Sequence, residues 1–118
     1  LPAARRHRDH FAVLGAREEL LGLLHRTRAE AIAWGGAELS LSTIPPGAAV
    51  VALGDTLARA NLGDTHGVTL ELSRGRAEAT LAYGPLGIGR VTSQTLRLKR
   101  GEREASLVVS SLGRVTRR

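Results

Sequence analysis

No cysteine and no methionine occur in these 118 residues, aromatic side chains make up only 3% of the chain, and lysine occurs once, at Lys99. Without cysteine there is no disulfide, no thiolate nucleophile and no Cys-ligated zinc or iron–sulfur site. The three aromatic residues, Phe11, Trp34 and Tyr83, are too few for the stacking platforms on which single-strand nucleic-acid binders depend. No run approaches the roughly 18 to 20 consecutive apolar residues that a membrane helix needs, and no charged segment followed by an apolar one opens the chain. What is present is typical of a folded domain: 42% hydrophobic and 24% charged residues, enough for one core and too few for two. Residues 1–118 therefore read as a single domain. Seventeen basic residues, sixteen of them arginine, stand against eleven acidic ones and leave a net charge of +6. Such a field favours nucleic acid, anionic lipid or acidic protein surfaces.

From Ala3 to Trp34 there is no proline, and apolar side chains recur at helical spacing. Val13, Leu20, Leu24 and Ala31 form one row, with Leu14, Leu21 and Ile32 beside it. The other face carries Glu18, Glu19, Arg26 and Glu30, with Gly15 and Gly22, so the helix is amphipathic. Ala3 to His10 holds Arg5, Arg6, His7, Arg8, Asp9 and His10 and almost no apolar stripe, and is expected to project from the body. At about 1.5 Å per residue the rod is about 48 Å long. Gly35-Gly36 supplies the stop. The abrupt opening at Leu1-Pro2 is what a segment cut from a longer protein looks like.

Beyond the glycine pair the hydrophobic period shortens to two, the signature of antiparallel strands. Strands are expected at Glu38 to Thr43, Ala49 to Leu53, Val68 to Leu72, Ala77 to Tyr83, Arg90 to Lys99, Glu104 to Ser110 and Arg114 to Thr116. Pro45-Pro46-Gly47, Ser73-Arg74-Gly75, Gly84-Pro85-Leu86-Gly87, Lys99-Arg100-Gly101 and Leu112-Gly113 mark the turns. Asp55 to Asn61 fits a short helix or a strand equally. Leu53-Gly54-Asp55-Thr56 recurs as Leu62-Gly63-Asp64-Thr65, read as two similar turns.

This order, one long N-terminal helix and then only antiparallel strands, resembles the type IV pilins and type II secretion pseudopilins, and within them the GspH/FimT family. Leu20 to Leu24, Arg28-Ala29-Glu30-Ala31-Ile32 and Gly35 resemble that family's late helix. Tyr83-Gly84-Pro85-Leu86-Gly87 resembles its central turn, and Thr95-Leu96-Arg97-Leu98, Arg100 to Arg103, Leu107 to Ser111 and Gly113-Arg114 resemble its closing strands. Leu1-Pro2 resembles the proline near the middle of the pilin helix. The resemblance implies an α+β, pilin-like fold, with 1–34 as the C-terminal half of the long helix and 35–118 as an antiparallel β head. It also implies a non-enzymatic structural subunit, a minor pilin or pseudopilin, that polymerises with other pilin or pseudopilin subunits through an absent hydrophobic N-terminal helix. The implied place is the bacterial cell envelope, in the inner membrane before assembly and then in a periplasmic or extracellular filament. No cofactor and no small-molecule substrate are implied.

Some members of that family bind DNA during uptake through a Gly-Arg-x-Arg motif near the C-terminus. Here the run is Gly113-Arg114-Val115-Thr116-Arg117-Arg118, and on a strand its spacing sets Arg114 and Arg117 on opposite faces and Arg118 on the face of Arg114. Arg114, Arg117 and Arg118, with Arg97, Lys99, Arg100 and Arg103 from the neighbouring hairpin, are the candidate DNA-binding residues. Other constellations read as structural. His7 and His10 lie three apart on a helix but beside arginines that repel cations, and no metal site is expected. His25 and His66 are isolated, and no Gly-x-Ser-x-Gly elbow supports a hydrolase. Gly84 to Gly89 joins two strands, whereas phosphate-cradling loops lead into a helix. Arg26 and Glu30 read as a surface pair.

Overall fold

In the computed structural model, which describes residues 2–89 and 93–118, the chain begins with α1 (Pro2–Trp34). This 33-residue helix spans the long dimension of a molecule 50 × 23 × 21 Å in extent. It ends at Gly35 and Gly36, whose φ values of +84° and +152° are open to glycine and strained for other residues. Val13, Ala16, Leu20, Leu24, Thr27 and Ala31 are all buried. At 100° per residue they lie, with Leu21 and Leu23, within an arc of about 160°.

Three positions on the helix differ from the sequence reading. Asp9, expected in the projecting stretch, is buried, because it lies four residues before Val13 and seven before Ala16 and so continues the stripe. Ile32, expected on the packed face, is 58% exposed, since the covered stripe stops at Ala31. Gly15 lies against α2, where a Cβ would stand 3.4 Å from the His66 ring.

After α1 come β1 (Ala37–Thr43), β2 (Pro46–Ala52), β3 (Asp55–Ala60), α2 (Leu62–His66), β4 (Thr69–Leu72), β5 (Glu78–Tyr83), β6 (Gln94–Arg100), β7 (Arg103–Val109) and β8 (Val115–Arg117). A short turn of 3-10 helix, Ser73–Gly75, separates β4 from β5. They form two four-stranded antiparallel sheets, β3-β2-β1-β5 and β4-β6-β7-β8. The expected start of the sixth strand, residues 90–92, lies outside the described residues. One hydrophobic cluster joins both sheets to α1. Leu39 and Leu41 of β1, Val50 of β2, Leu81 of β5, Leu96 and Leu98 of β6 and Leu107 and Val109 of β7 alternate into it.

The ambiguous segment Asp55 to Asn61 is a strand through Ala60. The repeated Leu-Gly-Asp-Thr has two fates. Leu53 (φ +53°) and Gly54 (φ +80°) close the β2–β3 hairpin between paired Ala52 and Asp55, the positive φ values that a two-residue turn requires. Leu62-Gly63-Asp64-Thr65 instead forms α2, ended by Gly67 in the left-handed conformation with its N–H bonded to the Gly63 carbonyl at 2.9 Å. The two are therefore not similar turns: the flanking His66-Gly67 supplies a helix cap that the first copy lacks.

Candidate functional site

The seven basic residues of the candidate DNA-binding set are dispersed, and pairing register decides what each one meets. On β6, Arg97 lies opposite Glu71 of β4, and Lys99 lies opposite Glu104 of β7. Arg97 reaches Glu71 at 3.7 Å and Glu104 at 3.5 Å, and Lys99 reaches the same carboxylates at 3.2 and 3.7 Å. The result is an exposed ladder of two cations and two anions across three strands, locally neutral and of modest stabilising effect. Arg117 of β8 lies opposite Leu107, whose side chain enters the core, and so turns toward α1. It donates two hydrogen bonds to the Glu18 carboxylate, at 2.9 and 2.7 Å. These bonds hold Glu18 below the usual carboxylate range and raise Arg117. The stabilisation of this exposed pair is present above an ordinary carboxylate pKa and is lost as pH falls through Glu18's lowered one. Arg118 continues the pairing with β7 through its main chain, exchanging bonds of 2.8 and 3.0 Å with Ser106, and its carbonyl also accepts from Arg17 at 3.0 Å. Among the described residues the side chains of Arg103, Arg114 and Arg118 make no ion pair.

Arg100 is engaged in the architecture. Its Nε meets Asp9 Oδ1 at 3.0 Å, and its Nη1 donates to the His66 carbonyl at 2.8 Å. The end of β6 is thereby tied both to α1 and to the C-terminus of α2. Gly101 packs directly on the same carboxylate, where any Cβ would collide with Asp9 Oδ2. Truncating Arg100 leaves the nearly buried Asp9 carboxylate without its counter-charge, and Arg100→Ala is expected to lower the unfolding free energy by about 2 kcal/mol. That figure is discounted because the arginine side chain is itself 39% exposed. Urea denaturation checks it, and a loss below about 0.5 kcal/mol would show that the tie is incidental.

Two surfaces absent from the sequence reading emerge. The first is an open groove of about 710 Å³ at the start of α1, lined by Arg5, Arg6, Arg8 and Asp9 of the helix and by Gly101, Glu102 and Arg103 of the β6–β7 turn. The second, of about 620 Å³, runs beside the C-terminal half of α1, where His25, Arg28 and Arg114 border Leu24, Ile88, Leu112 and Val115. Tyr83 forms part of its wall and donates from its hydroxyl to the Gly113 carbonyl at 3.1 Å. Burial raises the pKa of the phenol, with Arg28 opposing. Arg28 and Arg114 lie 86 positions apart, no local pattern connects them, and they approach only through the fold.

The remaining constellations hold positions consistent with structural use. Gly84 to Gly89 is a turn closed by a bond from the Gly84 N–H to the Ile88 carbonyl at 3.0 Å and an isolated bridge between Tyr83 and Gly89. Arg26 lies 3.7 Å from Glu30, which also accepts from the Trp34 indole at 2.7 Å. His66 contacts Glu19 at 3.2 Å. Among the described residues no group of three or more His, Asp or Glu is placed to hold a metal ion, and no helix is long and apolar enough to cross a membrane.

No family model matches the chain, and no curated protein does. Among solved structures it is similar to the crystal structure of the type IV minor pilin FimU of Pseudomonas aeruginosa. The TM-score is 0.67 at 18% sequence identity, over 89% of this chain and 91% of that one. A long N-terminal helix laid against antiparallel sheets through that extent gives this chain the type IV pilin fold.

Proposed function

We propose that this chain is the head of a non-enzymatic structural subunit, a minor pilin or pseudopilin of the GspH/FimT kind, in a type IV pilus or type II secretion filament. In this reading a hydrophobic helix upstream of Leu1 anchors the subunit in the inner membrane and then bundles with its neighbours as the filament assembles. The observation that carries it is the helix itself. Thirty-three residues run the length of the molecule, the buried stripe extends from Asp9 to Ala31, and Ala3 to Arg8 before it are exposed, as a helix that continues toward an anchor would be. The shared fold with a minor pilin supports the same reading. The test is made on the intact gene product in its own cells. The expected result is a prepilin-like cleavage site and apolar run just before Leu1, and a tagged protein that fractionates with membranes and with sheared filaments. A reading frame without that segment, or a protein recovered only from the soluble fraction, sinks the proposal.

A DNA-uptake role remains the second reading, and the free guanidinium groups of Arg103, Arg114 and Arg118 are what favour it. Duplex affinity measured across salt concentrations is expected to fall with a log–log slope near −3 to −4 if about four phosphates are engaged. Affinity unchanged when Arg114, Arg117 and Arg118 become Ala removes this reading.

A further inference from the structure

The last strand leaves half of its backbone unused. In the β7–β8 ladder Arg118 exchanges both main-chain bonds with Ser106, and the Arg114 carbonyl accepts from the Ser110 N–H at 2.9 Å. Bonded and non-bonded pairs alternate along an antiparallel ladder. The pairs between these, Leu107 with Arg117 and Val109 with Val115, therefore direct their main-chain groups away from each other. The N–H and C=O of Val115 and of Arg117 thus face outward from a sheet that ends at β8. Among the described residues these four groups bond to no other element. Beside that edge lies the groove of about 620 Å³, walled by Leu24, His25 and Arg28 of α1 and by Arg114 and Val115 of the last strand. It follows the strand, since Arg117 bonds Glu18 about two helical turns before His25. An exposed apolar lip continues it: Leu112, which is 69% exposed, and Ile88, which also lines a smaller groove with Leu86. No acidic side chain lines the groove, whereas Arg28 and Arg114 do, and among the described residues neither makes an ion pair.

The open edge narrows the class of occupant. Outward carbonyls need donors and outward amides need acceptors, at the spacing of alternate strand residues. A DNA backbone offers acceptors alone and an acyl chain offers neither, so both leave the Val115 and Arg117 carbonyls unmet. An extended polypeptide supplies donors and acceptors in register, as in strand addition at an open edge. The groove then narrows its sequence. Val115 lies opposite the fully buried Val109, so its side chain points to the side of the sheet that carries the core. A residue paired opposite Val115 shares that side, and its side chain enters the groove against Leu24 and Val115, where an apolar group fits. Carboxylates beside it meet the unpaired guanidinium groups of Arg28, from the helix, and Arg114, from the sheet. A second copy pairing its own β8 with this one would bring Arg114 and Arg117 close to their counterparts, which like charges across a strand pair oppose. We propose that the edge of β8 takes an extended segment of another protein, apolar at the residue opposite Val115 and acidic beside it, laid between β8 and α1. The inference stands on the edge and the groove and depends on neither a filament nor a membrane.

A display library of random seven-residue segments is selected on the 118-residue chain, and the most enriched sequence is synthesised as a capped peptide. Enriched sequences are expected to alternate Asp or Glu with Val, Ile or Leu, and the bound peptide to slow amide hydrogen exchange at Val115 and Arg117. Arg28→Gln with Arg114→Gln is expected to weaken binding about tenfold. Val115→Pro is expected to weaken it about fivefold, because it deletes one outward donor where the ladder to β7 loses no bond. Should circular dichroism show that the proline variant does not fold, exchange at the same two amides of the parent decides the point. Arg5→Gln with Arg6→Gln, far from β8 on the helix, is expected to bind the peptide within about twofold of the parent. The proposal is overturned if selection returns no acidic and apolar sequence, if exchange at Val115 and Arg117 is unchanged in the complex, or if the Arg28 and Arg114 variant binds as tightly as the parent. It is also overturned if a DNA duplex slows the same two amides, or if they slow with rising concentration of the chain alone, since the edge would then belong to DNA or to a second copy. Filament incorporation is measured on the intact protein and peptide binding on this chain alone, so failure of the subunit reading and failure of the strand contact are told apart.

Discussion

Leu20→Ala is expected to lower the unfolding free energy by about 3 kcal/mol and the melting temperature by roughly 15 °C. Leu20 has no solvent exposure and lies in the cluster shared by α1 and both sheets. The loss combines the transfer energy of the deleted atoms with the cavity they leave, and backbones held by two four-stranded sheets have little freedom to collapse into it. Urea denaturation followed by circular dichroism measures it. Phe11→Ala provides the contrast, since that ring is 69% exposed, and its stability is expected to stay within about 0.5 kcal/mol of the parent. Equal losses at the two positions would mean that α1 does not lie on the sheets with the stripe described.

Gly113→Ala is expected to cost a further large amount, also about 3 kcal/mol, for a different reason. Gly113 turns the chain from β7 into β8 with a φ of +87°, where a side chain is strained whatever the space. The space is also missing, because a Cβ would stand 2.5 Å from Tyr83 Cε1 and 3.0 Å from the Gly89 nitrogen. From the other side, a Cβ on Gly89 would lie 2.7 and 2.8 Å from the Gly113 nitrogen and Cα. The two glycines permit the β5–β6 loop and the β7–β8 turn to touch backbone to backbone, joined by the bond from the Gly89 N–H to the Leu112 carbonyl at 2.8 Å. The same denaturation experiment applies, and a penalty under about 1 kcal/mol for Gly113→Ala would contradict this close approach. Because the contact joins loops from opposite sheets, the variant is expected to unfold as one unit at lower denaturant, with an unchanged slope.

The architecture was legible where periodicity is strong. The 3.6-residue stripe of Val13, Leu20, Leu24 and Ala31 marks α1 to within a residue of its observed end, and the period-two runs locate seven of the eight strands, while β3 fitted a helix equally and Pro46 and Gly47, read as part of a turn, begin β2. Short elements escaped, since five residues carry too little periodicity to reveal α2, and its only sign is the His66-Gly67 cap. Asp9 was legible in principle. Its place on the stripe follows from spacing alone, but a carboxylate on an apolar row becomes intelligible only once a distant arginine arrives to meet it. The candidate site depends on such distant meetings. Glu71, Arg97, Lys99 and Glu104 neutralise one another through strand register, and Arg117 turns inward because it faces Leu107. Neither follows from the sequence, because register between strands is fixed by the three-dimensional packing of both sheets. The basic run Arg5 to Arg8 was visible as residues. Its partnership with Arg103 required the β6–β7 turn to be brought back ninety-odd positions along the chain.

The ties from β8 to α1 join residues 99 and 101 positions apart, through Arg117 to Glu18 and through the Arg118 carbonyl to Arg17. During synthesis, therefore, the helix emerges first and waits. Its apolar stripe is covered in part by β1 and β2 and completely only once β6 and β7 exist, and the last lock forms only when residue 118 has left the ribosome. Nascent chains of this kind are slow to close and depend on being kept apart from one another in the meantime. A stop codon before Val115 would remove β8 from β7 and leave a hydrogen-bonding edge open to the next chain.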